Sequence, residues 1–139
     1  MNRADEVWQL VVSGQAFWRF PLVLLILFLT AGFTEEVFFR GVIQTRLERL
    51  FGSGVAAIVV TSVIFSVYHI PYTYLNPNWP SSGDVGAAVT AAFVNGMLGG
   101  LVLGTLYVRT KHNLVATIIV HSLINSIPAM MLIKFSSGG

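Results

Sequence analysis

Residues 21–41 read PLVLLILFLTAGFTEEVFFRG, and the fold turns on this stretch. Pro21 to Phe33 is an apolar run, and the helical pattern continues through Glu35, Glu36 and Arg40 to about Phe51. Pro21 suits a helix start, because the N–H it lacks is one that a helix N-terminus leaves unpaired anyway. Near Gly41 the character changes: GVIQTRLERLF alternates apolar residues with Arg46, Glu48 and Arg49, so this end is expected to emerge from an apolar phase. An ionisable group inside such a helix is expensive, and it usually lines a cavity and does something there.

The rest of the chain fits that reading. Its 139 residues are 55% hydrophobic and 10% charged, with a mean hydropathy of +0.75, whereas soluble domains carry roughly 25% charged residues. Such a chain cannot cover a water-facing surface. At roughly 20 residues per span its length allows about four crossings. The expected fold is therefore all-α: a polytopic membrane helix bundle of about four transmembrane helices, with an N-terminal interfacial helix, in a multi-pass integral membrane protein. The absence of cysteine excludes disulfides and thiolate metal sites. A formal charge of +2, with no basic cluster interleaved with aromatics, argues against a nucleic-acid partner. Asp5 and Glu6 precede a mixed stretch, so the N-terminus does not read as a cleavable signal.

Two parts are expected: an amphipathic, interfacial segment over residues 1–20, with Trp8 and Trp18 at headgroup level, and a membrane core over residues 21–135. Gly52-Ser53-Gly54 is a turn signal. A second helix is expected from Val55 to about Ile70, ended by Pro71, and then a loop rich in Pro, Asn and Ser through Asp84, with Trp79 as a further anchor. A third helix runs from about Val85 to Val108, with Gly96, Gly100 and Gly104 on one face, where they admit a close neighbour. A short basic turn, Arg109 to Asn113, leads to a fourth helix from Leu114 to about Ile133, with a kink expected at Pro128. Arg40, Arg46 and Arg49 after the first helix and Arg109 and Lys111 after the third outnumber Arg3, Arg19 and Lys134 on the other side. The excess favours the two short turns on the cytoplasmic side.

Six polar residues stand out within these helices: Glu35, Glu36, Arg40, His69, His121 and Asn125. Glu36 and Arg40, four apart, have an ion pair available to them. Glu35 cannot share that geometry and needs a partner on another helix, a metal or a proton. If the first two helices form an antiparallel hairpin about Gly52, Glu35 and His69 lie at the same depth, given equal rise per residue. His121 and Asn125, four apart, share a face. Four such groups converging would make a buried hydrolytic site. Phe65 is expected to pack beside His69, His112 to be a solvated residue of a basic turn, and Asn95 to make a helix-to-helix hydrogen bond or line the cavity. His-Glu-x-x-His is missing, Gly52-Ser53-Gly54 lies in a turn rather than a serine-protease setting, and Asp84 has no second membrane aspartate for a dyad.

Glu35-Glu36-x-x-x-Arg40, then Phe65-x-x-x-His69, then His121-x-x-x-Asn125, in this order on successive membrane helices, resemble the motifs of the CPBP family. That family comprises type II CAAX prenyl proteases and bacteriocin-processing enzymes, also called Abi proteins. Asn113-Leu114 also fits the approach to its third motif, and the resemblance covers about residues 30–130. It implies a glutamate-dependent intramembrane endopeptidase, often described as a metalloprotease, in a prokaryotic cell membrane. By the same resemblance, Glu35 would activate water together with His69. His121 and Asn125 would bind a metal or stabilise the oxyanion, and Glu36 and Arg40 would hold the site in shape. A Zn²⁺ or another divalent ion held by Glu35, His69 and His121 is one version; a metal-free oxyanion site is the other. Family members carry several further membrane helices ahead of the first motif, which here begins at Glu35. The expected partners are the lipid bilayer and a membrane-associated protein or peptide substrate, prenylated or not. A non-catalytic binding or immunity protein and a proton- or ion-conducting bundle are the alternatives on the same residues.

Overall fold

The computed structural model describes Gln9 and residues 14–132, with side chains described chiefly over 20–126. Most of the expected interfacial segment, including Trp8 and the side chain of Trp18, lies outside the described residues. Among the described residues every regular element is helical. Helix α1 is one continuous run over residues 15–51, built of Gln15–Leu27, Phe28–Gly32, Phe33–Glu36, Val37–Gln44 and Thr45–Phe51. Helix α2 is Gly54–Leu75, α3 is Val85–Arg109 and α4 is Leu114–Leu132. The first three are long and apolar enough to cross a membrane, and α4 is apolar over Leu114–Ser126.

Polarity is arranged as a lipid solvent demands. Glu36, Arg40, Gln44, Ser62, Ser66 and Ser126 are fully buried, while Leu22, Leu25, Leu29, Val59, Val94 and Leu98 face outward. In water this would be inside out. In hydrocarbon it is the low-energy arrangement, because buried polar groups find partners and apolar ones need none.

Each boundary has a local cause. Gly52 closes α1 at φ 62°, a left-handed conformation suited to glycine. Ser53 then caps α2, its hydroxyl accepting from the Ala56 N–H. Asp84 caps α3 by accepting from Ala87 N–H at 2.9 Å, and Asn113 caps α4 by accepting from Val115 N–H at 3.0 Å.

Two prolines depart from expectation. Pro21 does not start α1, which begins at Gln15 and runs through it. Pro71 does not end α2, which continues to Leu75. Proline inside a membrane helix is tolerated where neighbouring groups serve the freed backbone. Beyond Pro71, Thr73 Oγ1 lies within hydrogen-bond reach of the carbonyls of His69, Ile70 and Ala88, at 3.2, 3.0 and 2.9 Å, and so ties the end of α2 to α3. The loop is correspondingly shorter, over residues 76–84.

The helices pack as two pairs. Helix α3 lies antiparallel on α2 with its glycines at the contact, as their spacing predicts. A Cβ on Gly96 would sit 2.8 Å from Ser66 Cα, and one on Gly100 2.7 Å from Ser62 Cβ. Among the described residues the backbone of α1 up to Glu36 approaches only that of α4. The pairs join toward the short turns, where residues 37–51 of α1 meet α2 and α3. Among the described residues the backbones of α2 and α4 do not meet. Side chains connect them, as where the Phe65 and His121 rings stand with centroids 6.1 Å apart.

Candidate active site

One line of α1 is polar and fully buried: Glu36, Arg40 and Gln44. In a pure α-helix, residues four apart drift by about 40° per step. The wider π turns over Val37–Gln44 offset that drift and keep the three on one face. Arg40 Nη1 donates to Glu36 Oε1 at 2.8 Å, and Arg40 Nη2 donates to the Gly100 carbonyl at 3.4 Å. The guanidinium also stands 4.9 Å from the centre of the Phe65 ring, a cation–π contact. Gln44 Nε2 donates to the Gly104 carbonyl at 3.1 Å. The glycines of α3 thus serve twice, once by admitting α2 and once by offering bare carbonyls to α1.

The same carboxylate fixes a histidine. Glu36 Oε1 accepts from His121 Nδ1 at 2.7 Å as well as from Arg40. His69 is fixed in the same sense, with Nδ1 2.8 Å from the Phe65 carbonyl, which can only accept. Both imidazoles therefore carry their proton on Nδ1 when neutral, and both present a bare Nε2. Those two nitrogens converge on one atom. Glu35 Oε2 is 3.8 Å from His69 Nε2 and 3.8 Å from His121 Nε2. It is buried and has no hydrogen-bond partner in the protein. Three acceptors face one another with no donor among them, at distances too long for direct hydrogen bonds. Such a point calls for a water, a proton or a cation.

The donor set suits a divalent ion in kind: one carboxylate and two oriented imidazoles, the second held by a carboxylate behind it. The spacing is more open than a finished site. Among the described residues no group of three His, Cys, Asp or Glu forms a closed metal site. The two 3.8 Å edges exceed by about half an ångström the ~3.3 Å edge of a tetrahedron with ~2 Å bonds.

The hairpin register about Gly52 holds in space. It brings Glu35 to His69 and also stacks Phe39 edge-on against Phe65, with ring centroids 4.9 Å apart. Phe65 packs against His69 as expected, at 4.3 Å between ring centres. Five of the six singled-out residues thus enter one connected cluster. Asn125 stands apart. It is half-buried one turn beyond His121, and among the described residues it is not drawn into the hydrogen bonds of Glu36, His69 or His121.

One expectation outside the cluster needs correction. Asn95 does not bond a neighbouring helix; it is exposed and donates to the Ala91 carbonyl of its own helix at 2.8 Å. A polar side chain facing lipid finds its nearest acceptor one turn back. His112 is exposed, as expected, and its Nε2 also meets Glu48 Oε2 at 2.9 Å, which ties the turn after α3 to the end of α1. The sequence reading passed over Gln44 and the use of the Gly100 carbonyl. Gln44 was within reach, because it extends the four-residue spacing of Glu36 and Arg40. That the Gly100 carbonyl receives an arginine is a matter of tertiary packing alone.

In comparison with known proteins the chain matches the family described as Type II CAAX prenyl endopeptidase Rce1-like, over residues 17–127. No curated protein and no solved structure matches the chain.

Proposed function

The chain belongs to the Rce1-like family of type II CAAX prenyl endopeptidases, and from that premise we propose that it hydrolyses a peptide bond with Glu35 as general base. The substrate is a membrane-associated protein or peptide, and a prenylated one is the class the family name favours. One observation carries the assignment of the base: Glu35 Oε2 is buried, lacks a protein donor and faces two bare Nε2 atoms.

A water at that point donates one hydrogen to Glu35 and the other to an imidazole, leaving an oxygen lone pair for the substrate carbonyl. As the oxygen attacks the carbonyl carbon, Glu35 takes the proton. The C–N bond breaks as that proton passes to the departing nitrogen. Base catalysis of this kind contributes typically ~10²–10⁴-fold. The Asn125 amide, one turn beyond His121, supplies a donor for the developing oxyanion, a role worth ~10²–10³ where it has been removed elsewhere. Glu36 and Arg40 transfer no proton; they hold His121 in one tautomer. Glu35, His69 and His121 are the residues that would hold a divalent ion, which when bound supplies Lewis-acid polarisation of the substrate carbonyl.

The test is cleavage of a prenylated peptide with a CAAX C-terminus by the purified protein, beside Glu35→Ala and His69→Ala variants. Turnover that is lost in both supports the reading, and turnover unchanged in both ends it. Metal content and turnover with and without chelator, on the same sample, separate the two versions of the site. Activity lost on chelation and restored by zinc marks the metal-dependent one.

A further inference from the structure

The residue that sets the position of His121 lies on the opposite helix and carries no side chain. Gly32 is one turn before Glu36, at the end of the π segment Phe28–Gly32. A Cβ built on it collides with Ser122 Oγ and lies 3.2 Å from the carbonyl oxygens of both Ile118 and Leu27. Ser122 can turn away only by giving up the hydrogen bond that its hydroxyl donates to the Ile118 carbonyl at 2.7 Å. Two of the three obstacles are therefore on α4, and one of them is backbone. Ser122 follows His121 directly, so any displacement of α4 at this contact moves the imidazole.

We propose that Gly32 and Ser122 are positioning residues: their contact brings α4 close enough to α1 for His121 Nδ1 to reach Glu36 and for His121 Nε2 to face Glu35. The tolerance is small. The His121–Glu36 hydrogen bond is 2.7 Å long, and a charge-assisted bond of that length does not survive a separation of about 1 Å. The contact is placed to act on this bond, because Gly32 and Glu36 are one turn apart on α1 and Ser122 and His121 are adjacent on α4. The catalytic part of the proposal rests on the protease reading above; the packing part does not.

Gly32→Ala, Ser122→Ala and the double variant separate the two. In a histidine-labelled sample of the full chain, the Nδ1–H proton of His121 reports its bond to the carboxylate directly. We expect that resonance to be lost in Gly32→Ala and to return in Gly32→Ala/Ser122→Ala, where the hydroxyl that meets the new methyl is gone. Turnover of the prenylated CAAX peptide should follow it. A misplacement near 1 Å lowers kcat by roughly 10²-fold, with KM little changed because the substrate-facing surface is untouched. If Gly32→Ala does not fold, Ser122→Val enlarges the same contact from α4 and carries the same expectation. A His121 resonance unmoved by the enlarged contact overturns the proposal, and so does a folded double variant that stays as impaired as Gly32→Ala. If the wild-type chain cleaves nothing, the protease reading fails, and the resonance alone still decides whether Gly32 positions His121.

Discussion

Glu35 and Glu36 are consecutive residues on one helix, yet they belong to two differently built halves of the site. The Glu36 side is the more closed: Glu36 and Arg40 are fully buried, Glu36 Oε1 accepts from both Arg40 and His121, and Glu36 Oε2 and Arg40 Nε are left without a partner. The Glu35 side is open: its Oε2 meets only acceptors, at 3.8 Å, and the helices that carry those two histidines do not touch through their backbones. The difference separates scaffolding from chemistry. A carboxylate oxygen already shared by an arginine and a histidine has little left for a substrate, whereas one buried without a donor is held ready at a cost that the bonded side helps the fold to bear.

Substitutions of matching shape break or sharpen this contrast. The largest effect is expected at the open carboxylate. Glu35→Gln should lower peptide turnover by ~10²–10⁴-fold, with the thermal unfolding midpoint of the purified protein unchanged, because no protein bond is lost. A fall in the midpoint as large as that of Glu36→Gln would erase the distinction. Glu36→Gln should act in the reverse sense. It strands the buried Arg40 charge, a loss of ~3–5 kcal/mol, read as earlier unfolding, and much of that should return when Arg40→Met is added. A Glu36→Gln protein as stable as the parent would show that the closed side is not closed.

The contrast extends to the glycine contact between α2 and α3. Gly100→Ala places a methyl against Ser62 and should cost ~1–3 kcal/mol of stability, measurable by thermal unfolding, while the Glu35 face keeps its geometry. A loss of turnover beyond that expected from the unfolded fraction would mean that the Gly100 carbonyl on Arg40 matters to the chemistry. The smallest effect is expected at the periphery. His112 and Glu48 form a half-exposed pair, so His112→Ala should cost no more than ~0.2–1 kcal/mol and leave turnover of the prenylated peptide at the parental level.

Much of this was legible in the chain itself. The apolar runs, the Gly52-Ser53 turn and the three glycines of α3 each act through neighbours in sequence or through spacing along one helix, so they could be read without coordinates. The match of Glu35 to His69 was legible for a related reason: two antiparallel helices about a tight turn share one register. The prolines were misread because their local preference is to stop a helix, whereas α1 and α2 both run through theirs, and beyond Pro71 the Thr73 hydroxyl ties the end of α2 to α3. Asn95 was misread because pattern alone does not tell which face of α3 meets lipid.

By itself, then, the sequence determined that the chain must live in a membrane as helices, and that its few ionisable groups must gather away from hydrocarbon. Desolvation makes both compulsory whatever the packing. Only the tertiary structure decided which carboxylate is spent and which is free. That choice depends on π turns that rotate Glu36, Arg40 and Gln44 onto one line. It depends also on two glycine contacts, at Gly32 and Gly100, that set helix spacings to within a hydrogen-bond length. Such distances arise between segments far apart in the chain, where no local pattern can record them.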